Sequence, residues 1–110
     1  MKAVVKIDAG ICGFQTAARV TADDDQKVTL DVQSDCQKIR RLGERLKDHG
    51  QIDAYQEISP AGESVILQTA RSVLEGCCAG CVVPAGLFKG MQVAAELALP
   101  KDIRIDLTKE

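Results

Sequence analysis

The apolar residues of this chain repeat every second position up to Ser34 and about every 3.6 positions after it. That switch limits the fold more than any other feature. Residues 3–8 place Ala3, Val5 and Ile7 on one face of a strand. Gly10 and Gly13 bracket Ile11-Cys12, so GICGF is a turn. Residues 15–22 set Thr16, Ala18, Val20 and Ala22 against Gln15, Ala17, Arg19 and Thr21. Residues 27–33 alternate Val28, Leu30 and Val32 with Lys27, Thr29, Asp31 and Gln33. Asp23-Asp24-Asp25-Gln26 is the polar tip between them, so the two runs form a hairpin.

Helical spacing takes over next. Ser34 or Asp35 is a suitable N-cap, because either side chain can accept an orphan backbone N–H. Cys36, Ile39, Leu42 and Leu46 then share one face, and Gly50 closes the helix after His49. Ile52, Tyr55 and Ile58 suggest a short helical turn, broken by Pro60-Ala61-Gly62. Residues 62–76 carry a stripe of Val65, Ile66, Thr69, Ala70, Val73 and Leu74. Cys77-Cys78-Ala79-Gly80-Cys81 is a helix end plus loop. Pro84 opens a further helix with Leu87, Phe88, Met91, Ala94, Ala95 and Ala98 inward, and Pro100 stops it. Ile103, Ile105 and Leu107 alternate with Asp102, Arg104 and Asp106, which predicts a last strand beside the first.

This order predicts an α+β fold of two layers. About four β-strands, three N-terminal and one C-terminal, carry three to four helices on one face. A chain of 110 residues is one domain, spanning 1–110. Hydrophobic residues at 45% and a net charge of -2 disfavour disorder. The same charge denies the basic face that nucleic acid requires, and with no Trp, one Tyr and two Phe there is no stacking platform. No continuous apolar run approaches a membrane span, and Met1–Asp8 lacks a signal-peptide apolar segment, so a cytoplasmic location without membrane contact is expected.

Five cysteines remain to be explained. An odd count in a reducing compartment argues against a disulfide framework. Cys12, Cys36, Cys77, Cys78 and Cys81 all fall at expected element ends, where loops converge into sites. Cys78-Ala79-Gly80-Cys81 is a CxxC, whose short spacing lets two thiolates face one tetrahedral centre. Cys12, Cys36, Cys81 and one of Cys77 and Cys78 make a four-thiolate set, suited to zinc or an iron–sulfur cluster. Two other readings stand beside it. Cys78 and Cys81 could cycle as a redox or sulfur-transfer pair, since the helix dipole favours thiolate at the positions expected for Cys36 and Cys81. Alternatively the domain is structural or an interaction module with inert thiols, because cysteine is often simply buried.

The rest of the chain offers little chemistry. His49 is the only histidine, which rules out a hydrolase triad and places it as a helix-end residue. Asp23-Asp24-Asp25 lacks the following glutamate of a hard-cation loop and reads as a solvated turn. A binding or electron-transfer module is expected rather than an enzyme, with an unidentified protein as partner.

GICGF (10–14), SDC (34–36), Cys81-Val82-Val83-Pro84 and VAAELALPKDIRI (93–105) together resemble an uncharacterised family of small cysteine-containing proteins of anaerobic bacteria and archaea. The resemblance covers nearly the whole chain and implies an intact single domain. It places Cys12, Cys36 and Cys81 in recurring motifs and carries no activity. Relatives in that family have one cysteine just upstream of the last, so the doublet Cys77-Cys78 is a departure and leaves the fourth ligand open. An anaerobic setting favours iron–sulfur over zinc.

Overall fold

The computed structural model describes residues 1–110. Three strands, β1 (Lys2–Asp8), β2 (Gln15–Ala22) and β3 (Lys27–Ser34), form an antiparallel meander. Helix α1 (Gln37–His49) follows, then β4 (Ile52–Asp53), α2 (Ala54–Glu57), α3 (Val65–Val73), a 3-10 turn over Gly76–Gly80, and α4 (Val83–Ala94). The sheet order is β1-β2-β3-β4. The fold is α+β, with a four-stranded antiparallel sheet and four helices.

The period-two runs are strands because one face of each is buried. Ala3, Ile7, Ala18, Val20, Ala22, Val28 and Leu30 all lie in the core, and Thr16 joins them. The alternate residues Lys2, Val4, Lys6, Arg19, Thr29 and Asp31 are exposed, so the sheet has one open face. The helices cover the other. α1 packs Ile39, Leu42 and Leu46, and α4 packs Val83, Leu87, Met91 and Ala94.

Three glycines set how closely helices approach the sheet, beginning with Gly43 of α1, where a Cβ would stand 2.8 Å from Val32 Cβ. A Cβ on Gly90 would stand 2.4 Å from Val5 Cγ2, and one on Gly86 would stand 2.5 Å from Ile7 Cδ1. Such contacts force the helix away or the strand side chains out of their rotamers. Gly90→Ala is therefore expected to destabilise the protein by about 1–2 kcal/mol despite alanine's better helix propensity. Urea unfolding checks this, and a stabilised variant would contradict the packing.

Several boundaries differ from expectation, each for a physical reason. Cys36, not Ser34 or Asp35, is the N-cap of α1 and makes no side-chain cap bond. Ser34 is still in the strand, where its Oγ accepts from Cys36 N at 3.0 Å and pairs with Thr16 Oγ1 at 2.8 Å. The fourth strand is Ile52–Asp53, not 103–107. Ile52 pairs with Val28 and Asp53 with Lys27, whose Nζ lies 2.8 Å from Asp53 Oδ2. α4 ends at Ala94, ahead of the expected Ala98, because Glu96 takes φ +64°, and 99–110 are exposed with no regular structure.

Gly76–Ala94 is long and apolar enough to count as a candidate membrane span, with a mean hydropathy of 1.3, contrary to the expectation that no run comes near. Its glycines, alanines and cysteines are mildly apolar and Lys89 is its single charge. In this fold the stretch divides into the 3-10 turn and α4, and α4 lays its apolar face on the sheet.

Candidate functional site

The cysteines are placed by elements that meet at one end of the sheet. Cys12 sits in the turn from β1 to β2. There Gly10 N donates to Asp8 Oδ1 at 3.0 Å and Gly13 N to Gly10 O at 2.9 Å. Gly10 and Gly13 have φ of +93° and +74°, values that favour glycine. Cys36 is tied to the far side of the same turn: Asp35 N donates to Gln15 O at 3.2 Å, and Gln15 N to Asp35 Oδ2 at 3.4 Å.

The CxxC arrives from the helical layer. Gly86, in the first turn of α4, rests on Ile7 near the end of β1, which brings the start of α4 to the Cys12 turn. Cys81 immediately precedes that start, and its N donates to Cys78 O at 3.1 Å. Lys38, in the first turn of α1, places Nζ 3.5 Å from Cys78 Sγ, which links the 3-10 turn to the Cys36 end of α1. Three segments distant in sequence thus deliver Cys12, Cys36, Cys78 and Cys81 to one locality.

Electrostatics report the same grouping. The Cys81 thiol is pushed above the usual thiol value, chiefly by burial. A hydrogen bond from Val83 N–H works against that, and the negative charges of Cys12, Cys36 and Cys78 add to it. Cys77 is not among the charges that bear on Cys81, and it is exposed. The dipole-favoured thiolate expected at Cys81 is therefore not found. The helix begins two residues later, at Val83, and its N–H does not offset desolvation.

All five cysteines are free thiols. Cys12 and Cys77 are exposed; Cys36, Cys78 and Cys81 are half-buried and pack against the core. None is fully buried. No three Cys, His, Asp or Glu side chains already stand in an arrangement able to hold a metal ion. The glycines of these turns stand clear of other elements: nothing lies within 4 Å of where a Cβ on Gly10, Gly13, Gly76 or Gly80 would stand.

The remaining sequence candidates are structural. Asp23 Oδ1 accepts from Asp25 N and Lys27 N, both at 2.9 Å, so the acidic tip is a capped turn. His49 is the exposed last residue of α1.

A family model matches residues 3–107 of the chain. The chain belongs to DUF6951, a family of unknown function. The match runs through the cysteine turns, α4 and most of the C-terminal segment of this DUF6951 protein. No curated protein and no solved structure matches it significantly.

The exposures order the reactivity of the thiols. With reductant present and metal removed, Cys77 and Cys12 are expected to be alkylated first and Cys81 last. A group whose value is raised in the folded state favours its neutral form there. That contribution to stability is present at lower pH and is lost as the pH rises through the folded value. Timed iodoacetamide quenching with peptide mass spectrometry checks the order. Early modification of Cys81 would contradict its burial.

Proposed function

We propose that Cys12, Cys36, Cys78 and Cys81 hold a thiophilic metal centre, a zinc ion or an iron–sulfur cluster, in a small non-catalytic domain. The observation that carries this reading is the delivery of four cysteines from three separate segments to one end of the sheet. A fold that only buried its thiols would scatter them through the core, yet none of these is fully buried.

Chemistry favours a cation among them. Four thiolates in one locality repel one another, and each finds a better partner in a soft metal than in its neighbours. The Val83 N–H favours the Cys81 thiolate, as backbone donors do beside metal thiolates. Lys38 adds positive charge beside Cys78. The sulfurs are not yet at ligand distance, so binding must draw the cysteine turns together. Cys77 is left out of the set.

Titration of the reduced, metal-free protein with cobalt(II) tests the reading. Four thiolate ligands give intense sulfur-to-metal absorption that saturates at one ion per chain and survives Cys77→Ser. If instead no cobalt binds and mild oxidation joins Cys78 to Cys81 reversibly, the protein is a thiol redox or sulfur-transfer module and the metal reading fails.

A further inference from the structure

The segment after α4 carries a strand pattern without a strand. Ile103, Ile105 and Leu107 are 59%, 63% and 91% exposed, and they alternate with Asp102, Arg104 and Asp106. The segment's one recorded side-chain bond is internal, from Arg104 Nε to Asp106 Oδ1 at 3.2 Å. Residues 99–110 are exposed with no regular structure, and the whole chain, this segment included, measures 45 Å along its long axis against 28 and 27 Å across. The accessible surface is 7575 Å2, well above the roughly 5,900 Å2 expected of a compact chain this size. The family model includes the segment through residue 107.

The same molecule presents an unpaired edge of matching character. β1 ends the sheet order, with β2 on its other side. Met1 and Ala22 exchange both backbone bonds, N to O at 3.0 Å and O to N at 2.9 Å. Antiparallel alternation then turns the N–H and C=O of Ala3, Val5 and Ile7 toward β2, and those of Lys2, Val4 and Lys6 outward. An open groove of about 700 Å3 lies beside this edge. Met1, Ala3 and Val4 line one side and Val93, Leu97 and Leu99 the other. An edge with free backbone groups and an apolar flank is a template for strand addition.

We propose that residues 102–107 of one copy add as a fifth strand to β1 of a second copy, reciprocally, forming a strand-swapped dimer. The register that sets Ile103, Ile105 and Leu107 over the helix layer beside Ala3, Val5 and Ile7 puts Asp102 and Asp106 on the open face beside Lys2 and Lys6. Arg104 then lies beside the uncharged Val4. Opposite charges meet across the new pair, and apolar residues extend the core. Because the segment pairs with no strand of its own sheet, a second copy supplies the edge it meets. Exchange of an identical element between two copies closes as a two-fold dimer.

Sedimentation equilibrium with amide hydrogen exchange on the full chain tests this. The expected result is a particle of twice the 11.8 kDa chain mass, with amides in 102–107 protected from exchange. The double variant I103D/I105D is expected to halve the mass while leaving the circular dichroism of the body unchanged, since both side chains are exposed in the single chain. Lys2→Glu with Lys6→Glu is expected to weaken the dimer, and adding Asp102→Lys with Asp106→Lys to restore it. A single chain with an unprotected tail overturns the proposal. A single chain with a protected tail also overturns it, because the strand has then closed on its own β1. A dimer that survives I103D/I105D overturns it as well, since another surface must join the copies.

Discussion

Replacing Cys81 with serine is expected to abolish metal binding at the proposed centre, while Cys77→Ser leaves it unchanged. Cys81 is the hub of the cysteine group: Cys12, Cys36 and Cys78 all bear on its ionisation, and its backbone spans to Cys78 and into α4. Losing a residue that merely orients a ligand costs 10–100-fold in affinity, so losing a direct ligand should cost more than about 100-fold. Cys12→Ser, Cys36→Ser and Cys78→Ser should follow Cys81→Ser. Metal content measured on the purified variants, with circular dichroism to show that each is folded, checks the contrast. A Cys77→Ser variant that lost its metal while Cys81→Ser kept it would reverse the ligand assignment.

Glu57→Ala should give the largest loss of stability among the polar substitutions. Glu57 is 5% exposed, and its carboxylate accepts from Ser64 Oγ at 2.9 Å, Val65 N at 2.6 Å and Ile66 N at 2.8 Å. It thereby caps the first turn of α3, where backbone N–H groups lack intrahelical partners and the dipole favours negative charge. Alanine leaves those donors unpaired in a largely dry site. The expected cost is about 3 kcal/mol, even though Ser64 Oγ still accepts from Leu67 N at 3.0 Å. For a chain of this size that lowers Tm by about 10 °C or more. Calorimetry on the variant measures it. A shift below about 2 °C would mean that water replaces the carboxylate without loss.

Much of the fold could be read from periodicity, and the misses have identifiable causes. β1 to β3 alternate over seven or eight residues with one face buried, so their pattern was visible. The short helical turn expected from Ile52, Tyr55 and Ile58 is present as α2, whereas β4, just ahead of it, has two residues, too few for any period. Residues 103–107 carry the alternation of a strand, but a strand requires a partner edge, and the segment pairs with none in its own chain. Gly43 and Gly90 gave no periodic signal, because close approach depends on the opposite element: Val32 for one and Val5 for the other.

The candidate site was legible as a set of cysteines at element ends, and less so as a grouping. Cys77 and Cys78 are adjacent, so no spacing rule separates them; the 3-10 turn leaves Cys77 exposed and Cys78 half-buried beside Lys38. The ionisation of Cys81 was misjudged because burial depends on tertiary packing. Glu57 was missed altogether. A glutamate in sequence gives no sign of being folded under a helix seven residues later, although Ser64 ahead of the Val65-Ile66 run marked where that helix could start.

Purification without oxygen, followed by an absorption spectrum and metal analysis on the same sample, tests directly whether the four cysteines hold a metal centre. With no Trp and one Tyr, the protein contributes little near-ultraviolet absorbance of its own. The expected result is one thiolate-bound centre per chain: visible absorbance with stoichiometric iron and sulfide, or a colourless protein with one zinc. A protein carrying neither, whose five thiols all react as independent groups, would contradict it.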